Sequence, residues 1–308
     1  MSEPLADLWR HYMCRGDFEA AWCISDRALH NRDRFVRSSG EVESTWCGEP
    51  LDGKRVLVRC CYGLGDTLQF VRYVPLLRRV ARQVTLHAQA SVARVLDHVQ
   101  GIDNVVTRYN NVPPESYDIT IELSELPHVF RTSMHTIPIQ VPYIHIIPRS
   151  FPATSDINVG LMWQGSDWDP RRSVPLPLFA GFERIAGLTL HIVQRGRALM
   201  ERPTDFGFNS GDDDLYEAAR TIAALDIMVT IDSMPVHLAG ALNVPTWVLL
   251  HSHCDWRWME NRTDSPWYPG MRLFRQKSPG DWPPVIAAVK RELERAARSR
   301  AKPVSVAA

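Results

Sequence analysis

The stretch that most constrains this chain is residues 225–250, LDIMVTIDSMPVHLAGALNVPTWVLL. Residues 227–231 form an apolar run of strand length with Ile and Val in it. The run stops at Asp232 and Ser233, residue types that favour a helix N-cap. Pro235 follows at an early helical position, where a missing N–H removes no hydrogen bond. The spacing predicts a helix through Val236, His237, Leu238, Ala239 and Ala241, a stop near Asn243, and a second strand over 246–250 behind Pro245. Such a strand–turn–helix–strand unit, with strands apolar enough to be buried on both faces, builds a parallel sheet. The turn lies at the carboxyl end of a strand, where open α/β sheets bind ligands. The exposed N–H groups of the helix start there favour an anion.

The same alternation recurs along the chain. Strands are expected at 55–60, 84–88, 104–107 and 117–121, and again at 157–163, 189–193 and 271–275. Helices are expected over 67–80, 91–99, 176–185, 214–224 and 282–295. Between the two runs, residues 131–156 carry Pro138, Pro142, Pro148 and Pro152 with little periodicity and read as a linker. Residues 5–31 read as two short helices resembling one tetratricopeptide unit. The fold class expected is α/β: two Rossmann-like domains with parallel sheets whose carboxyl ends face a cleft, plus a short N-terminal helical hairpin. The expected boundaries are 1–45 for the hairpin and lead-in, 46–150 and 151–295 for the two domains, and 296–308 for a disordered tail.

Charge and cysteine usage narrow the function classes. Lys+Arg and Asp+Glu are each 35, a balance that argues against a general nucleic-acid or acidic-membrane binder. No apolar run approaches the length of a membrane span. The first residues, MSEPLADLWRHY, hold early acids and no apolar core, so no secretory peptide and a cytoplasmic location are expected. The six cysteines show neither CxxC pairs nor zinc-like Cys/His spacing, so reduced thiols and no metal site are expected.

Four polar constellations follow predicted strands. Gly63-Leu64-Gly65-Asp66 is not a dinucleotide fingerprint, because Leu68 occupies the third glycine position and the next strand ends His87-Ala88-Gln89 without an acid for a ribose. Its glycines let a ligand approach closely, and Asp66 is either a helix cap or a general base. Trp163, Gly165, Arg171, Arg172 and Ser173 form a loop whose two arginines suit a diphosphate, or a solvated loop. Asp232 and Ser233 can meet a phosphate, and His237, one turn on, faces either ligand or core. Asp255, Trp256 and Arg257 offer an aromatic face and a cation to a nucleotide or sugar, or a packing clasp for the long loop at 251–270.

The segments VLVRCCYGLGDTLQFVRYVPLL, VGLMWQGSDWDPRRSVPLPLF, TIAALDIMVTIDSMPVHLAGALNVPTWVLL and DWRWMENRTDSPWYPGMRLFRQ resemble glycosyltransferase family 9, which includes the ADP-heptose lipopolysaccharide heptosyltransferases. The likeness covers about residues 46–295 and is nearest to soluble members preceded by tetratricopeptide repeats. The resemblance implies a GT-B fold and an inverting, metal-independent transfer of a sugar from a nucleotide-sugar donor, which is a substrate, with no cofactor. The donor would sit mainly on the C-terminal domain and the acceptor on the N-terminal one. The acceptor is a hydroxyl of a glycan, a protein or a small molecule. Asp66 matches the family's general base, Asp232, Ser233 and His237 its diphosphate motif, and Arg171 and Arg172 the position of a cation near the leaving group. Cys61-Tyr62 replaces the Glu-Gln usual before that Asp motif. The alternative expectation is a catalytically silent relative that binds a nucleotide or a protein.

Overall fold

The structure is a computed structural model and describes residues 3–39, 45–108, 112–154 and 156–300. It divides into two compact units. The first holds the chain up to His145 together with Asp255–Arg262, and the second holds Ile146–Cys254 and the chain from Thr263 on. The unit boundary thus falls a few residues before the expected 150/151. Residues 255–262 depart from the expected second domain.

The first unit opens with two helices, α1 (Glu3–Cys14) and α2 (Phe18–Ser39). They pack on the same unit rather than standing apart: Trp22 Nε1 donates to Thr132 O at 2.7 Å. Asp26 accepts from His128 Nε2 at 2.8 Å and from both terminal nitrogens of Arg131. Four parallel strands follow, β1 (Arg55–Arg59), β2 (Gln83–His87), β3 (Asn104–Val106) and β4 (Ile119–Glu122), in the order β3-β2-β1-β4. The β1 interior, Val56, Leu57 and Val58, is at most 1% exposed, as an apolar strand covered on both faces must be.

The helix expected over 67–80 is two helices, α3 (Leu64–Phe70) and α4 (Val74–Val80), joined by a 3-10 turn at Val71–Tyr73. Pro75 explains the break: it sits in the first turn of α4, where its missing N–H leaves no orphan. The expected helix at 91–99 shrinks to α5 (Ala93–Leu96) behind a 3-10 turn, and α6 (Leu126–Val129) closes the set.

The second unit carries six parallel strands: β5 (Ile157–Leu161), β6 (Leu188–Ile192), β7 (Phe208–Asn209), β8 (Ile227–Ile231), β9 (Thr246–Leu250) and β10 (Met271–Arg275). Their order is β10-β9-β8-β5-β6-β7. Helices α7 (Leu215–Ala223), α8 (Met234–Ala241) and α9 (Pro283–Arg300) complete it. Val285, Ile286, Val289, Leu293 and Ala297 recur at helical spacing on α9 and join the strand residues Val159, Leu161, Val229, Ile231 and Leu249 in one core. Burying a side chain such as Leu293 contributes about 1.5–3 kcal/mol.

Two expectations need correction here. The helix expected over 176–185 is a pair of 3-10 turns, Leu176–Phe179 and Phe182–Arg184. Pro177 sits in the first turn, where a missing N–H is tolerated, but Gly181 between the turns has φ +88°, a conformation that ends a helix. The last helix, expected to stop at 295, runs to Arg300 because Ala297 is still buried against the core. The rest of the expected tail, 301–308, lies outside the described residues. Among the described residues, no helix is long and apolar enough to cross a membrane.

Candidate functional site

In the six-stranded sheet, β5 and β8 are neighbours, and the chain proceeds outward to β6 and β7 on one side and to β9 and β10 on the other. The strand order therefore reverses between β5 and β8, the crevice position at which open parallel sheets take ligands. The loops after these two strands are 162–173 and Asp232-Ser233. One side chain ties them together: Arg172 Nη1 donates to the backbone carbonyl of Asp232 at 2.7 Å. The same guanidinium donates to Ser166 Oγ at 3.2 Å and lies 4.1 Å from the centre of the Trp168 ring. Arg172 is 5% exposed.

Gly165 lies against this cation. A Cβ there would come within 3.2 Å of Ile231 Cδ1 and 3.5 Å of Arg172 Nη2, so a side chain would fit only if Ile231 gave way slightly. Its N–H donates to Ser173 Oγ at 3.3 Å. Arg171 turns the other way and grips Asp169 through two bonds of 2.8 and 2.9 Å, which holds the Asp169 carboxyl below its ordinary range. Beside it, burial pushes the His251 ring down in pKa. At the start of α8, Ser233 is the N-cap in an extended conformation and makes no side-chain cap bond, while Pro235 occupies the first turn. A cavity of about 260 Å³ lies along the 163–176 loop, lined by Trp163, Gln164, Ser166, Ser173, Leu176 and Glu201 among others.

The four-stranded sheet has the same logic. Its order reverses between β1 and β4, and Gly63-Leu64-Gly65-Asp66 follows β1. Asp66 is the third residue of α3 and its Oδ2 accepts from the Gly63 N–H at 3.0 Å, so it does cap the helix. Its other oxygen, Oδ1, is ion-paired with Arg257 Nη2.

No protein-family profile matches the chain. Protein FlbA of Caulobacter vibrioides is 22% identical over 291 residues, a match that takes in 79% of this chain and 47% of that protein. The chain thus spans about half the length of this curated relative. Solved structures agree over most of the chain. A glycosyl transferase family 9 protein from Veillonella parvula superposes with a TM-score of 0.57 at 14% identity, covering 82% of this chain and 98% of its own. ADP-heptose lipopolysaccharide heptosyltransferase II of E. coli gives 0.54 at 14% identity, covering 79% and 99%. The glycosyltransferase TibC of enterotoxigenic E. coli gives 0.54 at 11% identity, covering 80% and 78%. This chain has the fold of the family 9 glycosyltransferases.

Within this family 9 fold, the residues singled out from sequence fall into two groups. Trp163, Gly165, Arg171, Arg172, Ser173, Asp232, Ser233 and His237 belong to the second unit; Gly63, Gly65, Asp66, Asp255, Trp256 and Arg257 belong to the first. The placing of Asp255, Trp256 and Arg257 with the second domain is therefore corrected. Trp256 meets Phe70 at a 15° interplanar angle and Trp9 nearly edge-on, at centroid distances of 6.5 and 5.4 Å. These contacts anchor Trp256 in the first unit, where its side chain stays half-buried. Trp163 is 1% exposed in the second unit's core. His237 is also buried, with Nδ1 3.0 Å from the Tyr268 hydroxyl.

Sequence reading missed the residues that hold these loops. Gln194, just past β6, accepts from the Trp163 and Gln164 N–H groups at 3.1 and 2.9 Å and donates to Gln164 O at 3.1 Å. Its position beyond a strand's carboxyl end was the available signal. Gln69 accepts from Arg257 Nε at 2.6 Å, and it lies one helical turn after Asp66, on the same face. At the mouth of the 63–66 loop, Tyr62 is 60% exposed. Burial and the Glu122 carboxylate push the neighbouring Cys61 thiol up.

Proposed function

We propose that this protein is an inverting glycosyltransferase that works without a metal ion and moves a sugar from a nucleoside-diphosphate sugar to a hydroxyl of a glycan, a protein or a small molecule. The observation that carries the reading is the bond from buried Arg172 to the Asp232 carbonyl. It fixes a cation beside the start of α8, at the switch point of the six-stranded sheet. Ser233 Oγ and the Met234 N–H complete a cradle for a diphosphate; Pro235 has no N–H, and the Val236 N–H donates to Ser233 O at 3.0 Å.

In this reading Asp66 accepts the proton of the acceptor hydroxyl. The acceptor oxygen bonds to the anomeric carbon as the bond from that carbon to the diphosphate oxygen breaks. The leaving diphosphate keeps the electron pair, and attack from the opposite face inverts the centre. Arg172 and the α8 N-terminus offset the charge that grows on the leaving group, and fixed donors of this kind are the largest single source of rate in many enzymes. ADP-heptose, named for the E. coli relative, is the first donor to try. Tyr62, exposed beside the Asp66 loop, offers an aromatic face to an acceptor.

The test is release of nucleoside diphosphate from a panel of nucleotide sugars with mixed acceptors, with EDTA present. The wild type is expected to turn over and Asp66→Asn to lose about 10²–10⁴ in rate while still binding donor. The second reading, a silent nucleotide- or protein-binding relative, draws on the fact that both Asp66 oxygens are engaged. Donor binding without turnover in the wild type would favour it.

A further inference from the structure

The segment Asp255–Arg262 follows β9 and precedes β10 in the chain, yet it packs as part of the first unit. Several contacts pin it there. Trp258 is fully buried. The Glu260 N–H donates to Cys14 O, at the end of α1, at 2.9 Å. Met259 and Asn261 hold φ values of +49° and +54°, which non-glycine residues keep only where the surroundings impose them.

The product of this bracing is one guanidinium. Arg257 Nε donates to Gln69 Oε1 at 2.6 Å, Nη1 donates to Asp255 Oδ1 at 2.9 Å, and Nη2 pairs with Asp66 Oδ1. The Phe70 and Trp256 rings lie 5.3 and 4.8 Å from it. Three donors of a rigid planar fork on three acceptors leave the group one orientation. Asp66 is then held at both oxygens, because Gly63 N–H occupies the other. A carboxylate has about four lone-pair sites, so two such bonds fix its plane and still leave room for an incoming hydroxyl.

We propose that Arg257 is a positioning residue for Asp66, and that the N-terminal helical pair, through Trp9 against Trp256, holds Arg257 in place. The inference rests on the reading of Asp66 as the base that accepts the acceptor proton. It makes α1 and α2 part of the support of the reactive carboxylate rather than an appendage.

Two measurements on the full chain test it. One is carbodiimide labelling of Asp66 with an amine, read by mass spectrometry, which needs no turnover. The other is steady-state sugar transfer. Both are run on wild type, Trp9→Ala, Arg257→Met and Arg257→Lys, with circular dichroism to confirm that each variant folds. Trp9→Phe replaces Trp9→Ala if the latter does not. Asp66 labelling is expected to rise several-fold in Trp9→Ala and Arg257→Met. There kcat is expected to fall about tenfold to a hundredfold with donor KM unchanged, and Arg257→Lys is expected to recover part of the loss.

Unchanged labelling in the folded Trp9 variant overturns the inference. So does increased labelling with normal kcat, and so does a higher kcat in Arg257→Met, which would make Arg257 a lock. If the wild type transfers no sugar from any donor, the glycosyltransferase reading fails instead, and labelling alone still decides whether Trp9 holds Asp66.

Discussion

Arg257 and Asp66 stand 191 positions apart in the chain and form one ion pair in the first unit. Their side chains are 15% and 32% exposed, so water screens the pair only in part. A double-mutant cycle with Asp66→Asn and Arg257→Met, read by urea unfolding, is expected to give a coupling energy of about 1 kcal/mol, at the upper end for exposed pairs. Coupling indistinguishable from zero would mean that the contact does not hold in solution. Asp66→Asn keeps an amide oxygen for the Gly63 N–H, so the cap at α3 survives in this comparison.

Arg172 presents the opposite balance, since it is buried and donates to backbone and hydroxyl oxygens. Arg172→Met keeps the apolar stem and removes the donors. It is expected to cost about 1–3 kcal/mol, because the carbonyl of buried Asp232 loses a charged donor, and to weaken nucleoside-diphosphate binding. A variant with wild-type stability and wild-type affinity would remove Arg172 from the account.

Gly240 tests close packing under α8. Helix propensity alone says that Gly240→Ala should stabilise by about 1 kcal/mol. The new Cβ, however, would sit 2.3 Å from Tyr268 Cδ1 and 2.7 Å from Met271 Cε. Overpacking of this kind costs about 1–3 kcal/mol, and it displaces the Tyr268 hydroxyl from His237. The expected outcome is a lower thermal midpoint, and a higher one would show that Tyr268 can move aside.

His191 sets an acid limit on stability. Its ring stacks on Phe151 at 4.1 Å, with its nitrogens 2.8 Å from Ser210 Oγ and 3.0 Å from Asn158 Oδ1. Burial pushes its pKa from 6.5 down to about 4. Between those values the unfolded chain binds a proton that the folded chain does not, so stability rises with pH through this window. The contribution is complete above about pH 6.5 and is lost as pH falls toward 4, up to roughly 3 kcal/mol for this group. Burial lowers His128 and His251 in the same direction. Urea midpoints at pH 7.5 and 4.5 should differ less in His191→Gln than in wild type, and an equal difference would contradict this assignment.

Nine of the ten strands were legible because they are short, apolar and β-branched, whereas β7 (Phe208–Asn209) was missed because it is two residues long and exposed. β8, α8 and β9 fall where residues 225–250 predicted them. Asp232 was visible as a polar residue directly after such a strand, and Asp66 at the end of the glycine loop that follows β1. What periodicity could not show was the partner of each side chain. Arg257 reads as a cation beside two tryptophans in a long loop, and nothing local tells that it reaches Asp66 instead of a phosphate. The break before α4 and the 3-10 turns at 176–184 depend on where Pro75 and Gly181 sit within a turn, which pattern counting averages away.

The most direct test of the central claim is a thermal-shift panel of nucleoside diphosphates and nucleotide sugars on wild type and Ser233→Tyr, whose phenol would fill the cradle at the start of α8. A ligand at a hundredfold excess over its Kd stabilises the folded state by about 2.7 kcal/mol. The account predicts that one nucleotide class raises the wild-type midpoint and leaves that of Ser233→Tyr unmoved. If no nucleotide shifts the wild type, or if the same one shifts both proteins equally, the diphosphate does not sit between Arg172 and Ser233 and the account is contradicted.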